Sequence, residues 1–322
     1  MLMAWTLYEG DCLEVMKTLP EGSIDMILCD PPYGTVKGLS LDGWENQTTE
    51  WDTAIQPEVM FENANRVLRM NGALVLFSQE PYTSRLITEA HNNLPFSYRC
   101  IWLKDHFANS LSCKKAPVSY FEDIVFFFKK YDTLAQHPLR EYALKVINFI
   151  GLTLKEINSQ LGHRKAEHFF YVDTTQFGLC TKPVYDELTL KYGLNTQEWF
   201  LSYEKLETIN RRFNRRFNLE GKKFKSNVLS FKKDYGGLHP TQKPVALFEY
   251  LIRTYTNEGD TVLDNCAGSG TTAVAAENCG RNSILIEKDP KYCNIIRERM
   301  NALQGTVRDW SKKYLQQMAD RQ

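Results

Sequence analysis

Short apolar segments recur towards both ends of the chain, and most of them are continuous rather than alternating with polar residues. Continuous apolar runs are typical of parallel strands, because such strands are buried on both faces of a sheet. The pattern predicts strands over residues 25–29, 73–77, 99–103, 124–128, 261–263 and 283–286.

Helical periodicity lies between these strands. Residues 58–68 carry one apolar stripe, and the Asn71-Gly72 pair that follows is a helix stop signal. Further helices are predicted over residues 244–255, 271–278 and 290–303. Because strands and helices alternate, the two ends of the chain together predict an α/β fold with a doubly wound, mostly parallel sheet.

The middle of the chain, from residue 137 to about residue 218, has helical spacing and almost no strand signal. Helices are predicted over residues 139–150, 154–161 and 166–171. Gly151 and Gly162 separate them, and short helices joined by a glycine-bearing turn resemble a helix-turn-helix. A helical insertion that only packs against the core is the alternative.

Charge is balanced overall but unevenly placed. The 39 basic and 39 acidic residues leave a formal net charge of zero, which excludes a uniformly basic nucleic-acid-binding protein. Residues 205–233 nevertheless hold ten Lys or Arg and two acidic residues, so this segment carries +8 and the remainder carries −8. A local basic surface on an acidic body is therefore predicted.

Cysteine spacing and hydropathy bear on three questions: metal sites, membrane helices and the cellular compartment. None of the eight cysteines forms a C-x-x-C pair and no histidine cluster has ligand spacing, so no metal site is predicted. The longest apolar runs, such as residues 124–128, are far below the roughly 20 residues that a membrane helix needs. Glu9 and Asp11 come too early for a signal peptide, and we expect a cytoplasmic protein with no membrane contact.

The first chemical motif is Asp30-Pro31-Pro32-Tyr33, directly after a predicted strand. The two prolines fix φ and remove two backbone donors, which leaves rigid carbonyl groups as acceptors. Asp30 adds a second acceptor, and Tyr33 adds an aromatic face for stacking. Two acceptors and a flat ring suit a planar group with an exocyclic amine, such as adenine or cytosine. A proline-rich turn with a surface aspartate is the alternative.

The second motif, VLDNCAGSGTT at residues 262–272, predicts a strand, a glycine-containing loop and the start of a helix. Glycines allow the backbone to approach a ligand closely, and a helix N-terminus favours an anionic group. Glu287 follows nineteen residues after Gly268, at the end of the next predicted strand, where an acid commonly binds the hydroxyls of an adenosine ribose. By itself this motif predicts an adenosine-containing cofactor, and it leaves NAD and S-adenosylmethionine open. A tight strand–helix turn that binds no ligand is the alternative.

Taken together, the two motifs favour methyl transfer. A nicotinamide enzyme has no use for an amine-binding clamp built on two prolines, whereas a methyl donor opposite an amine acceptor does. Carbon-5 methylation of cytosine uses a cysteine nucleophile after a proline. The chain contains no Pro-Cys dipeptide, so that chemistry is excluded.

These residues resemble the amino-methyltransferases of DNA from bacteria and phages, which make N6-methyladenine or N4-methylcytosine. The similarity covers most of residues 6–130 and 226–303, and includes the blocks EGDCLEVMKTLPEGSIDMILCDPPYG, HPTQKPVALFEYLI, VLDNCAGSGTTAVAAEN and SILIEKDPKY. The catalytic block precedes the cofactor block, as in the permuted class called beta. The resemblance implies an α/β, Rossmann-like, S-adenosylmethionine-dependent methyltransferase fold: a doubly wound mixed sheet, circularly permuted, with a helical insertion.

The resemblance also divides the chain into three parts. Residues 1–136 would be the catalytic part of the methyltransferase domain, residues 137–225 a helical target-recognition insertion, and residues 226–322 the cofactor-binding part.

The implied catalytic residues are Asp30, Pro31, Pro32 and Tyr33. In the family, the aspartate and the first proline carbonyl accept hydrogen bonds from the target amine, and the aromatic ring stacks on the flipped base. Asp11 resembles the residue that contacts the cofactor adenine, and Glu287 matches the ribose-binding acid.

The implied cofactor is S-adenosyl-L-methionine, and the segment HPTQKP at residues 239–244 resembles one that closes over its methionine carboxylate. For Lys243 a solvated charge is the alternative. The family commonly has Pro-Phe where this chain has Asn265-Cys266, and we expect binding to survive because the loop glycines remain. The predicted cofactor-binding residues are Asp11, Cys12, His239, Thr241, Lys243, Asp264, Ala267, Gly268, Ser269, Gly270, Thr271 and Glu287.

Double-stranded DNA is the expected partner, and a homodimer is left open. The segment NRRFNRRFN at residues 210–218 would form, on a helix, a basic stripe beside two phenylalanines, with a solvated helix face as the alternative. The loop from Gly34 to Thr53 is expected to be mobile without DNA and to order on binding. The predicted DNA-binding residues are Lys104, Lys114, Lys115, Arg164, Lys165, Arg211, Arg212, Arg215 and Arg216.

The sequence therefore predicts a site-specific DNA methyltransferase that moves a methyl group to N6 of a flipped adenine by direct in-line attack. An N4-cytosine enzyme is the nearest alternative, because the DPPY tetrapeptide favours adenine without deciding the base. A non-catalytic DNA-binding regulator and a nicotinamide oxidoreductase are the alternatives from other classes. The presence of Asp30, Tyr33 and Gly268 argues against the regulator.

Overall fold

The computed structural model of this chain describes residues 4–34, 37, 52–108, 113–130, 137–174, 176–234 and 242–319. The chain forms two compact units, one of residues 1–131 with 215–322 and the other of residues 132–214. The predicted mobile loop from Gly34 to Thr53 lies almost entirely outside the described residues.

Eight strands form one sheet in the first unit. In chain order they are β1 (Trp5–Glu9), β2 (Ile24–Cys29), β3 (Leu68–Ser78), β4 (Phe96–Ala108), β5 (Ser119–Phe128), β6 (Val228–Ser230), β7 (Thr261–Asp264) and β8 (Asn282–Glu287).

The helices of the first unit connect these strands or follow them. They are α1 (Cys12–Thr18), α2 (Pro57–Val67), α3 (Tyr82–Thr88), α9 (Val245–Tyr255), α10 (Thr271–Asn278) and α11 (Pro290–Ala319). The second unit contains α4 (Leu139–Ile150), α5 (Leu154–Leu161), α6 (Glu167–Phe170), α7 (Lys182–Tyr192) and α8 (Tyr203–Phe213).

The strands lie in the order β1-β8-β7-β2-β3-β5-β4-β6, and the pairs that involve β5 are antiparallel while the others are parallel. This mixed, doubly wound sheet confirms the predicted fold class. Strands β7 and β8 of the cofactor block lie between β1 and β2 of the catalytic block, although α4–α8 separate the two blocks in sequence. A permuted chain order is therefore compatible with one continuous sheet.

Both faces of the sheet are covered, which explains the continuous apolar runs. In β2, Met26 and Leu28 pack in a core with α9 and α10, while Ile27 and Cys29 pack in a core with α1, α2 and α3. Because successive side chains point to opposite faces, a strand buried on both sides has no polar positions to alternate with.

The second unit has an apolar core of its own, built from α4 to α8. Helices α4 and α5 have the predicted bounds. Gly151 and Gly162 end them in the left-handed conformation, and Thr153 with Glu156 forms a capping box that starts α5. The third predicted helix, expected to start within residues 166–171, is only the single turn of α6.

The predicted arginine stripe over residues 210–218 requires a correction. Helix α8 ends at Phe213, and Asn214 is already extended, with ψ at 150°. The guanidinium of Arg215 lies over the Phe128 ring, 3.3 Å from its centroid, and Arg216 is buried near Asp260. These tertiary contacts require an extended chain, so the four arginines do not share a helix face. The compact unit accordingly ends at Asn214 rather than at the proposed boundary of residue 225.

No helix in the described ranges combines the length and the apolar character that crossing a membrane requires.

Candidate active site

The candidate site lies where the order of the strands changes direction. From β7 the chain passes through α10 to β8 on one side, whereas from β2 it passes through α2 to β3 on the other. A crevice opens above the carboxyl ends of strands that diverge in this way, and α/β proteins bind ligands there. Ile27 of β2 is paired with Leu263 of β7, so residues 30–33 and 265–270 leave the sheet side by side. The structure thus brings the two sequence motifs together.

Asp30 is the first residue after β2, and both of its carboxylate oxygens have donors. The Tyr33 hydroxyl donates to Oδ1, and the Lys243 ammonium donates to Oδ2. Pro31 is buried and Pro32 is partly buried, which fixes the corner between the aspartate and the tyrosine. Burial raises the pKa of the Asp30 carboxyl, and the nearby Glu122 charge acts in the same direction against the opposing effect of Lys243.

Three further charged side chains, Lys243, Glu122 and Lys104, join Asp30. Lys243 Nζ is 3.2 Å from Glu122 Oε2, and Lys104 Nζ is 2.5 Å from Glu122 Oε1. Burial disfavours the charged form of both Lys243 and Glu122. The carboxylates of Asp30 and Glu122 nevertheless raise the pKa of Lys243. The ammonium groups of Lys243 and Lys104 lower the pKa of Glu122. Two ammonium groups and two carboxylates therefore form a neutral, buried ionic cluster.

Lys243 and Lys104 occupy positions that differ from those predicted. Lys243 was expected over the methionine carboxylate, whereas its ammonium lies on Asp30. Lys104 was expected to contact DNA, but it is 6% exposed and paired with Glu122, so it is not available to a phosphate. His239 and Thr241 lie outside the described residues.

Glu122 was not identified from the sequence. It is 8% exposed on β5, directly opposite Trp102 of β4. The available signal was a charged pair, Glu122-Asp123, directly before the predicted apolar strand over residues 124–128. A charge in such a position needs a buried partner, although the sequence does not show which one.

The loop after β7 has the backbone geometry that its glycines predict. Gly268 and Gly270 have φ values of 51° and 80°, in the left-handed region that favours glycine. A Cβ on Gly270 would lie 2.9 Å from Ile296 Cγ1 of α11. Ala267, Ser269 and Thr271 are buried, and α10 begins at Thr271. The loop therefore presents its backbone, rather than large side chains, to the crevice.

Asp264 ends β7 and is buried beneath this loop. Its carboxylate accepts hydrogen bonds from the Thr272 hydroxyl and from the Cys266 N–H, the latter at 3.1 Å. Burial raises the pKa of Asp264 to about 7, against the opposing effect of these two donors. The group is therefore balanced between its charged and neutral forms near neutral pH.

Glu287 and Asp11 lie at the carboxyl ends of the neighbouring strands. Glu287 accepts three backbone hydrogen bonds, from Gly268 at 2.7 Å and from Lys288 and Asp289 at 2.8 Å each. Burial raises the pKa of Glu287, while these donors act in the opposite direction. Asp11 caps α1 by accepting from the Leu13 N–H, and remains exposed.

The Cys12 thiol at the start of α1 contacts the Cys266 thiol in the loop after β7, and the buried Cys29 lies next to Cys266. A hydrogen bond with Cys266 and burial raise the pKa of the Cys12 thiol, and burial raises the pKa of Cys29 to about 11. The three thiols therefore stay protonated and pack as small apolar groups.

This crevice fits S-adenosylmethionine in the chemistry of its donors. Asp11, Asp30 and Glu287 follow or end β1, β2 and β8 at this edge, and Asp264 is buried beneath the loop after β7. These carboxylates offer acceptors for ribose hydroxyls and counter-charges for a sulfonium and an ammonium group.

The predicted DNA-binding residues are not all at one edge of the sheet. Lys114 and Lys115 are exposed in the connection between β4 and β5, at the edge that carries Asp30. Arg215 lies against Ser97 and Phe128, at the opposite edge. Arg216 is 9% exposed and its charge is directed towards the partly buried Asp260, so it is not available to DNA.

In the helical unit, Arg164, Lys165 and Arg211 are exposed. Arg164 pairs with Glu167 at 2.6 Å, and Arg211 pairs with Glu207 at 2.6 Å. The side chain of Arg212 is not among those that the structure describes.

Comparisons with known proteins agree with this geometry. The family model N6_N4_Mtase, described as DNA methylase, matches residues 24–298. Type II methyltransferase M2.DpnII of Streptococcus pneumoniae is 47% identical over 68 residues, which are 21% of this chain and 25% of that protein. DNA adenine methyltransferase YhdJ of Escherichia coli K12 is 24% identical over 306 residues, which are 92% of this chain and 83% of that protein.

Solved structures share the fold. M1.HpyAVI in complex with SAM has a TM-score of 0.51 and 19% identity, and covers 92% of this chain and 100% of its own. PvuII DNA methyltransferase, described as cytosine-N4-specific, has a TM-score of 0.53 and 16% identity, and covers 92% of this chain and 86% of its own. Since the family model spans most of the chain, this protein belongs to the N6/N4 family of DNA methylases and is an S-adenosylmethionine-dependent DNA methyltransferase.

Proposed function

We propose that the enzyme methylates the exocyclic N6 of adenine in double-stranded DNA. The observation that supports this proposal is the corner at residues 30–33, which leaves β2 next to the loop after β7 and offers the Asp30 carboxylate, the Pro31 carbonyl and the Tyr33 ring as contacts for a base. The aspartate in the DPPY tetrapeptide supports adenine, and so does the similarity to a relative named as a DNA adenine methyltransferase.

The amine of adenine is a poor nucleophile because its lone pair is delocalised into the ring. Hydrogen bonds from its two N–H groups to Asp30 and to the Pro31 carbonyl favour a tetrahedral nitrogen and localise that lone pair. S-adenosylmethionine, when bound, supplies an electrophilic methyl group on a sulfonium. Positioning and electrostatics by Asp30, Pro31 and Tyr33 then account for most of the acceleration, with no covalent enzyme intermediate.

The cofactor would be held by the carboxyl ends of β1, β7 and β8. Glu287 would accept hydrogen bonds from the ribose hydroxyls, and Asp11 would contact the adenine. Asp264 and the backbone from Ala267 to Gly270 would hold the methionine half. Cys12 and Cys266 would supply apolar contacts to the cofactor.

A base inside a duplex is out of reach of this corner, so the target adenine is flipped out of the stack, at a cost of a few kcal/mol. Stacking on the Tyr33 ring returns about 1–3 kcal/mol. Phosphate contacts by exposed basic side chains supply the rest. We assign the helical unit of residues 132–214 to target recognition, with Arg164, Lys165 and Arg211 on its surface.

The test is to incubate the purified protein with unmodified DNA and S-adenosylmethionine, digest the DNA to nucleosides and identify the methylated product by mass spectrometry. N6-methyladenine is expected. Asp30→Asn should reduce the rate by at least about 100-fold, comparable with the loss of one transition-state hydrogen-bond partner. Cofactor affinity, measured by calorimetry, should stay within a few-fold, and retained activity in Asp30→Asn would contradict the assigned role.

N4-methylation of cytosine is the second candidate, because a solved enzyme with this fold is described as cytosine-N4-specific. Cytosine presents the same kind of exocyclic amine to Asp30 and Pro31. The nucleoside analysis separates the two candidates by mass and by base.

A further inference from the structure

The Lys243 ammonium lies between two carboxylates that come from different strands. It donates to Asp30 Oδ2, and it is 3.2 Å from Glu122 Oε2. Lys243 is 5% exposed and Glu122 is 8% exposed, so neither has bulk water as an alternative partner.

The two carboxylates are satisfied to different degrees. Glu122 Oε2 is buried, and no donor in the described part of the chain reaches it with hydrogen-bond geometry, even though the Lys243 ammonium is close. An acceptor of this kind carries a desolvation cost that one hydrogen bond would remove. Rotation of the Lys243 ammonium towards Glu122 Oε2 would therefore remove this desolvation cost.

Asp30, by contrast, has a donor on each oxygen. Tyr33 occupies Oδ1 and Lys243 occupies Oδ2. A target amine needs one of these oxygens as its acceptor. Lys243 is the donor with a second acceptor within reach, so it is the one that can leave.

We propose that Glu122 is a positioning residue that takes the Lys243 ammonium away from Asp30 when the target amine arrives. The proposal rests on the proposed function, since it concerns the acceptor of the methylated amine. No charge enters or leaves the cluster in this exchange, because Lys243 stays between the same two carboxylates.

Lys104 fixes Glu122 for this task. Its ammonium pairs with Oε1 at 2.5 Å and lies 5.3 Å from the centroid of the Trp102 ring. With Oε1 held, Oε2 faces Lys243. A purely structural ion pair would give the cluster the same static appearance, so the test must separate exchange from stability.

The experiment is a double-mutant cycle on the full chain with Glu122→Gln and Lys243→Met, read as single-turnover methylation of a duplex that contains the target. Glu122→Gln removes the charge that attracts Lys243, so the ammonium stays on Asp30 and the rate should fall at least tenfold. Adding Lys243→Met frees Asp30, and the double variant should be at least threefold faster than Glu122→Gln alone.

The proposal would be overturned if the rate losses of the two single variants multiplied in the double variant, or if the double variant were slower than Glu122→Gln. A purely structural ion pair predicts that Lys243→Met does not restore the rate of Glu122→Gln. Cofactor affinity and target flipping, followed by 2-aminopurine fluorescence at the target position, should be unchanged in Glu122→Gln. Glu89→Gln, at an exposed ion pair with Arg85, is the matched control. If the double variant does not fold, Lys243→Gln replaces Lys243→Met and the same criterion applies.

The double-mutant cycle tests the exchange only if the wild-type protein methylates an exocyclic amine. A wild type without this activity contradicts the proposed function. An active wild type without rescue contradicts the exchange at Glu122 alone.

Discussion

The backbone N–H of Gly268 donates a hydrogen bond of 2.7 Å to the Glu287 carboxylate, which joins the loop after β7 to the end of β8. Two further backbone donors, from Lys288 and Asp289, hold the other carboxylate oxygen. The carboxylate is thus fixed in one orientation before any ligand is bound. Such preorganisation lowers the entropic cost of binding at this strand end.

Glu287→Gln should weaken S-adenosylmethionine binding by about 10- to 100-fold. A hydrogen bond to a charged acceptor contributes about 1.5–3 kcal/mol, and about 1.4 kcal/mol corresponds to a tenfold change in affinity. Titration calorimetry measures the effect. Glu58→Gln, an exposed acid in the first turn of α2, should leave the affinity unchanged. Equal affinities in all three proteins would remove Glu287 from the cofactor site.

Cofactor affinity should fall as the pH is lowered through about 7. The Asp264 carboxyl has a raised pKa of about 7, so it is charged above this pH and becomes neutral below it. A neutral Asp264 no longer attracts a cationic ligand, and the loss approaches tenfold per pH unit below the pKa. Calorimetry between pH 5.5 and 8.5 should show this slope in the wild type and a flatter one in Asp264→Asn. Parallel curves would exclude Asp264 as the titrating group.

Gly270→Ala should destabilise the protein more than Gly259→Ala does. The two glycines have almost the same φ, 80° and 81°, so the strain of a left-handed alanine is shared. A Cβ at Gly270 would also meet Ile296 Cγ1 at 2.9 Å, whereas a Cβ at Gly259 would meet no atom of the described residues within 4 Å. Strain alone costs about 1 kcal/mol, and the close contact adds to it. Calorimetric Tm values compare the two variants, and equal values would mean that α11 moves aside.

Replacing Lys114 and Lys115 together with alanine should reduce the salt dependence of DNA binding. Each phosphate contact contributes roughly 0.9 to the slope of log K against log salt, so the double variant should lose nearly 2. The exposed pair Lys222 and Lys223 precedes β6 at the opposite edge of the sheet, and its double alanine variant is the matched control. Fluorescence anisotropy at several salt concentrations gives the slopes. An equal loss in both variants would indicate contact far from the catalytic corner.

Local patterns predicted most of the strands and helices because their causes are local. The apolar runs at β2, β7 and β8 and the glycines after α4 and α5 act over a few residues. Strands β1 and β6 and helices α1, α3 and α7 were not predicted. The three residues of β6 and the seven of α3 leave little periodicity to detect. The prediction that the arginine stripe continues on a helix after Phe213 was wrong, because Arg215 and Arg216 contact Phe128 and Asp260, which are distant in sequence.

The sequence by itself determined the chemistry that this protein carries: a DPPY corner after one buried strand, a glycine loop after another, and an acid at the end of a third. Only the tertiary structure decided how these groups are used. It paired β2 with β7, turned Lys243 towards Asp30 and buried Glu122 and Lys104 beside them. The reason is physical, since motif residues act through local geometry, whereas the partner of a buried charge depends on which distant segment the fold places within reach.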